Sequence, residues 1–218
     1  MPNPSLRFSG TSKPPSAVVL FLHGGQQRNH KPVMRRHASW ARMAVMQRSF
    51  DPFAKNNNLA VALLKYRVRG WNATPGAEPD PVQDARWAIG ELRDRFGPLP
   101  IVLVGHSMGG RTACHVADAE GVVGVCALAP WLPQGEPVAA LEDRAVSVAH
   151  GTADKWTSAK WSEDYVRRAC PIATQAAWTS ISDAGHFMLS RVREWDGFVR
   201  TCVADMLQLP AEMAEDEA

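Results

Sequence analysis

Three residues of this sequence have the types and the order to do chemistry together: Ser107, Asp154 and His186. Ser107 stands in Val104-Gly105-His106-Ser107-Met108-Gly109-Gly110, after the apolar run Ile101 to Val104 and before the helix-compatible stretch Arg111 to Ala119. That pattern predicts strand, sharp turn and helix with a serine at the apex. A turn so tight forces the apical residue into a strained backbone conformation, so its neighbours need to lack a Cβ, and Gly105 and Gly109 do. The strain lifts the hydroxyl clear of the sheet and aims the N–H of Met108, at a helix start, toward whatever binds there. A serine so placed can attack a carbonyl carbon if the chain also supplies a base, a carboxylate to orient it and a second N–H donor.

Candidates for all three parts occur where a parallel sheet would put them. Ala17 to Leu22 is a continuous apolar run of strand length that ends in His23-Gly24-Gly25-Gln26. Its glycines let backbone N–H groups turn inward at the strand's carboxyl end, with Gly25 or Gln26 as the second oxyanion donor. Ala145 to His150 is again strand-like and runs into Gly151-Thr152-Ala153-Asp154. Ile172 to Ile181 reads as a last strand, followed by Asp183-Ala184-Gly185-His186. Asp183 is a second candidate for the orienting acid, but three residues from His186 on one tight loop it is better placed to face solvent. Asp84 falls inside a helical stretch and reads as an ion-pair partner. His23, His106 and His150 read as structural histidines that hydrogen-bond within loops.

The elements that must hold these groups follow from periodicity. Leu59 to Leu64 and Val122 to Ala129 are further strands. Helical stripes run over His37 to Ala54, with Trp40, Met43, Ala44, Met46 and Phe50; over Val82 to Phe96, opened by Asp80 as N-cap with Pro81; over Ser158 to Ala169; and over Leu189 to Leu209. Strands alternating with helices predict an open, mostly parallel sheet of six to seven strands with helices on both faces. The interval between the strands at Val122 and Ala145 is too short for a large lid, so the site should be open. Residues 1–16, rich in proline, read as a leader with at most an edge strand near Leu6 to Phe8; residues 17–209 as a single domain; and residues 210–218 as an acidic, frayed tail.

Composition narrows the function classes. The chain has 218 residues, 45% hydrophobic and 21% charged, with a net charge of +2, which suits a soluble α/β domain and gives no reason to invoke nucleic acid. No run approaches a membrane span and no basic-then-apolar leader opens the chain, so stable membrane insertion is not expected and the default location is the cytoplasm. Cys114, Cys126, Cys170 and Cys202 lack C-x-x-C spacing and read as free thiols, and no histidine pair has metal-ligand spacing on a helix face, so no metal is expected.

From residue 17 to about 208 the chain resembles an α/β-hydrolase, on the strength of His23-Gly24-Gly25, Gly105-x-Ser107-x-Gly109, Asp154 and Gly185-His186. The resemblance implies Ser107 as nucleophile, His186 as general base and Asp154 as the acid that fixes its tautomer, with Met108 and Gly25 or Gln26 as oxyanion donors and no cofactor. Serine at the elbow argues against the dehalogenase and epoxide-hydrolase branches, which use aspartate there. Trp71, Trp131, Trp156 and Phe187 fall in strand-end loops beside these groups and are candidates to line an acyl pocket, while Arg69 and Arg28 leave room for an anionic end. The implied partner is a small-molecule ester, or a thioester through the same tetrahedral intermediates; a ligand-binding protein with vestigial turnover is the reading from another class.

Overall fold

The computed structural model describes residues 2–209. Seven strands form one sheet: β1 (Ser5–Gly10), β2 (Ala17–Leu22), β3 (Leu59–Lys65), β4 (Ile101–His106), β5 (Val122–Leu128), β6 (Ala145–Gly151) and β7 (Gln175–Ile181). Five helices alternate with them: α1 (Ala38–Asn56), α2 (Asp80–Phe96), α3 (Met108–His115), α4 (Ala159–Ala169) and α5 (Val192–Leu207). The sheet order is β1-β3-β2-β4-β5-β6-β7, and β1 alone runs antiparallel, along β3. This is the α/β-hydrolase fold without a large lid.

Every residue of β2 and β4 is buried, which is why both read as unbroken apolar runs: a parallel strand is covered by helices on its two faces. On one face α1 packs beside α5. On the other α2 packs on α3, and α4 is joined to α3 through Glu136, which accepts from Arg111 while its carbonyl accepts from Arg168. The chain leaves β2 toward β3 on one side and returns to β4 on the other. The order of the strands therefore reverses between β2 and β4, and a crevice opens at the carboxyl ends of these two neighbours, where their connections run to opposite sides. Between β5 and β6 the only helical element is one 3-10 turn, Ala139–Leu141, so nothing large covers that crevice.

Several expectations shift at the ends of elements. The segment read as leader contains a full six-residue strand, paired from Ser5↔Lys65 to Gly10↔Ala60. Its sequence shows little periodicity because tertiary partners hold it: the Arg7 guanidinium donates to the side chain of buried Gln47 on α1 at 2.6 and 2.9 Å. Helix α2 is capped by Pro79, not Asp80, whose carboxylate accepts instead from Arg67 at 2.9 Å and Asn72 at 2.8 Å. Helix α5 begins at Val192, not Leu189, because Arg191 has φ of 55°, a left-handed conformation that cannot lie inside a helix and that makes it the N-cap. Strand β7 starts at Gln175, as residues 172 and 173 donate back to Ala169 and prolong the end of α4. The stretch expected to form an acidic tail, residues 210–218, lies outside the described residues. Among the described residues no helix is long and apolar enough to cross a membrane.

Candidate active site

The turn between β4 and α3 is as sharp as its glycines require. Ser107 has φ 55° and ψ −118°, a conformation that costs about 1–3 kcal/mol and persists only where its surroundings impose it. They do so through three bonds. Ser107 N–H donates to Leu128 C=O at 3.0 Å and its own carbonyl accepts from Arg111 and Trp131 at 3.2 and 3.1 Å, while α3 starts at Met108 with no spacer. A side chain at Gly105 would strike the Gly109 carbonyl, and one at Gly109 would strike the Leu22 carbonyl and lie 2.8 Å from that of His23. The sequence pattern suits a helix from Arg111 to Ala119, whereas α3 runs from Met108 to His115. Its true start was hidden by Gly109 and Gly110, poor helix formers kept here by close backbone approach.

That approach yields a test of opposite signs within one protein. Gly109→Ala is expected to lower the melting temperature by roughly 3–10 °C through overpacking. Gly90→Ala, on an open face inside α2 with nothing within 4 Å, is expected to raise stability by about 1 kcal/mol. Thermal unfolding of the two variants checks both.

Residues from three strand ends meet at Ser107. His186 Nε2 lies 3.0 Å from Ser107 Oγ, and His186 Nδ1 lies 2.8 Å from Asp154 Oδ2. Asp154 Oδ1 accepts from the N–H groups of Trp156 (2.7 Å) and Thr157 (3.0 Å). Its Oδ2 accepts from Thr157 Oγ1 at 2.8 Å and faces His150 Nε2 at 3.1 Å. Burial alone would raise this carboxyl's pKa, but the bonds from His150, His186, Thr157 and Trp156 outweigh it and hold the group well below the usual carboxylate range. Asp154 is therefore ionised at neutral pH. Burial lowers His23 to about 4 and His106 to about 3, so those two imidazoles stay neutral. His106 Nε2 donates to the His186 carbonyl at 2.8 Å and so fixes the height of the loop that carries the base.

The other acids are elsewhere. Asp183 is 84% exposed and pairs with Arg191, and Asp84 is buried against Arg67 at 3.2 Å, where burial raises its pKa to about 6. His150 departs from its reading as a loop histidine. It lies within strand β6, one residue before its end and fully buried, and it makes a second imidazole on Asp154. Spacing of four residues was the available signal, but the twist that brings both side chains together follows β6 and is not visible in sequence.

The glycine loop after β2 supplies N–H groups beside the serine. Gln26 N–H is already committed to Arg69 C=O at 2.9 Å, and Gln26 C=O accepts from Trp71 at 2.8 Å. Gly25 N–H makes no hydrogen bond among the described residues, and Met108, as the first residue of α3, has no intrahelical acceptor for its own. Of the two candidates left open by the sequence, Gly25 is the one whose N–H is not already engaged.

A cleft of about 630 Å³ opens over Ser107, a size that suits small-molecule ligands. Trp131, Trp156 and Phe187 line it beside His186; Trp156 is 73% exposed and stacks on the His186 ring at 6.4 Å. Trp71 does not line it. Its ring is buried, edge-on to Trp131 at 6.1 Å, with the Arg111 guanidinium 4.1 Å from its centre, and so it braces the wall from behind. Arg69 faces the cleft and Arg28 does not. Arg42, unremarked in the sequence, donates from α1 to the carbonyls of Phe187 (3.2 Å) and Met188 (2.9 Å), and so ties the histidine loop to the far side of the cleft.

Comparison with known proteins agrees with the fold. A model of the alpha/beta hydrolase family matches residues 19–216. No curated protein sequence matches the chain. Among solved structures, an alpha-beta serine hydrolase homologue from Coxiella burnetii is 15% identical with a TM-score of 0.67, covering 92% of each chain. A serine hydrolase without a lid from Xanthomonas campestris is 16% identical with a TM-score of 0.67, covering 95% of this chain and 90% of that one. Est1E from Butyrivibrio proteoclasticus with ferulic acid bound is 10% identical with a TM-score of 0.72, covering 94% and 96%.

Proposed function

Since the chain belongs to the alpha/beta hydrolase family, we propose that it is a serine hydrolase that cleaves a small or medium carboxylic ester through an acyl-enzyme, with Ser107, His186 and Asp154 as its triad. One observation carries this reading: a strained serine at the carboxyl ends of β2 and β4 has an imidazole nitrogen 3.0 Å from its hydroxyl, and that imidazole is anchored on a buried carboxylate.

The chemistry follows from the positions. His186 Nε2 takes the proton of Ser107 Oγ as the oxygen attacks the ester carbonyl carbon. Asp154 keeps the other ring proton on Nδ1, which leaves Nε2 free to accept, and its charge stabilises the imidazolium that forms. The developing oxyanion lies toward the N–H groups of Met108 and Gly25; removal of one such donor costs about 3 kcal/mol in known cases. Collapse expels the alcohol, which takes the proton from Nε2, and water repeats the sequence on the acyl-enzyme. The aromatic side of the cleft, Trp131, Trp156 and Phe187, suits the acyl or alkyl group.

The test is intact-mass detection of a fluorophosphonate adduct, followed by turnover of acyl esters of graded chain length. A single adduct with repeated turnover is the expected outcome. An unlabelled, folded protein would point instead to a binding role on this fold.

A further inference from the structure

The cleft has a polar end opposite its aromatic one, and its charge is one-sided. Gln26, Gln27, His37, Ser39 and Arg69 line that end, and no Asp or Glu lines the cleft among the described residues. Arg69 is half-buried, and its guanidinium makes no hydrogen bond or ion pair among the described residues. The neighbouring arginines are spent differently. Arg67 pairs with Asp80 and Asp84, Arg111 with Glu136, and Arg42 with the carbonyls of the histidine loop.

Arg69 is also held in place. Its N–H donates to Lys31 C=O at 3.1 Å and its C=O accepts from Gln26, which stitches the loop after β3 to the loop that carries Gly25. The chain that carries Arg69 is basic over a long stretch of sequence. Residues 1–77 contain twelve of the 24 Lys and Arg residues but, of the 22 Asp and Glu, only Asp51. His37 feels this field: burial first, then Arg69 and Arg36, lower its pKa.

An unpaired guanidinium, carried on an anchored stretch of backbone into a cleft whose lining holds no carboxylate, can receive an anion. We propose that the ester substrate carries a terminal anionic group, a carboxylate or a phosphate, that Arg69 binds at the polar end of the cleft while the ester lies at Ser107. The turnover part of this inference rests on the hydrolase reading above.

The experiment compares 4-nitrophenyl hemisuccinate, hemiglutarate and hemiadipate with the uncharged esters of equal chain length, and adds phosphonate-ended counterparts to separate the two anions. The wild-type protein is expected to favour the charged ester of the best-fitting length by about ten- to a hundredfold in kcat/KM, the range for hydrogen bonds to a charged group. That preference should shrink as salt is added. Arg69→Gln should bring the ratio close to one and Arg69→Lys should keep part of it. Arg48→Gln, which removes the same charge from an exposed part of α1, should leave the ratio as it is.

Equal rates on charged and neutral esters, or a ratio that survives Arg69→Gln, would overturn the proposal while leaving the hydrolase reading intact. Calorimetric titration of Ser107→Ala with glutarate and with inorganic phosphate gives a readout without turnover. Binding abolished by Arg69→Gln supports the site even if the protein cleaves no ester, and absence of binding to either anion counts against it.

Discussion

Ser107→Ala is expected to remain folded and to hydrolyse 4-nitrophenyl butyrate about 10⁴- to 10⁶-fold more slowly than the wild-type protein, the range found when the nucleophile of a working triad is removed. The fold should survive because alanine keeps the Cβ and the same backbone preferences, and the bonds that impose φ 55° run through the main chain: Leu128 C=O, Arg111 N–H and Trp131 N–H. What disappears is the oxygen 3.0 Å from His186 Nε2. The Met108 and Gly25 N–H groups remain, so a residual rate above that of water should persist. Steady-state kinetics with a thermal melt in parallel checks this. A folded variant within tenfold of the wild-type rate would remove Ser107 from the mechanism.

Asp154→Asn is expected to lower kcat by about ten-thousandfold with a smaller effect on KM. The argument is one of tautomers. Two backbone N–H groups, of Trp156 and Thr157, point at Oδ1 and will keep the amide oxygen there. The amide nitrogen must then replace Oδ2 and aim its hydrogens at His186 Nδ1. That nitrogen becomes an acceptor, the ring proton moves to Nε2, and the imidazole presents a donor to Ser107 where the reaction needs an acceptor. His150 faces the same atom and loses its carboxylate partner as well. Rates together with NMR of the histidine ring protons test both halves of the claim. A kcat within tenfold of wild type, or an unchanged tautomer, would be contrary to it.

The sequence disclosed those parts of the molecule that depend on local order. Buried parallel strands announce themselves as unbroken apolar runs, as at Ala17–Leu22 and from Ile101 to Val104, and a serine flanked by glycines announces a backbone that must pass close to itself. The convergence of Ser107, Asp154 and His186 was legible because each follows a strand and parallel strands end on one edge. Features made by partners distant in the chain were hidden. β1 depends on Gln47 of α1, and Asp80 forgoes its cap for Arg67 and Asn72. Trp71 looks like a pocket residue until Arg111 is seen beneath it. Gln26 looks like a donor until Arg69 takes its N–H, and His150 looks ordinary until β6 delivers it to Asp154. Residue types give candidates for such roles, but only the fold says which hydrogen-bonding groups are already engaged.

The order of the sheet bears on how the chain is made. Strands β1, β3 and β2 are synthesised first and can pair early, with β1 shielding the outer edge of β3. The inner edge of β2, a run of Ala, Val, Leu and Phe with its backbone groups unpaired, must wait for β4, whose partners run from Ile101 to Gly105. A bare apolar strand edge is a template for association with other nascent chains. The strand that brings in Ser107 is also the one that closes this edge, so seating the serine and covering the bare edge of β2 are the same event.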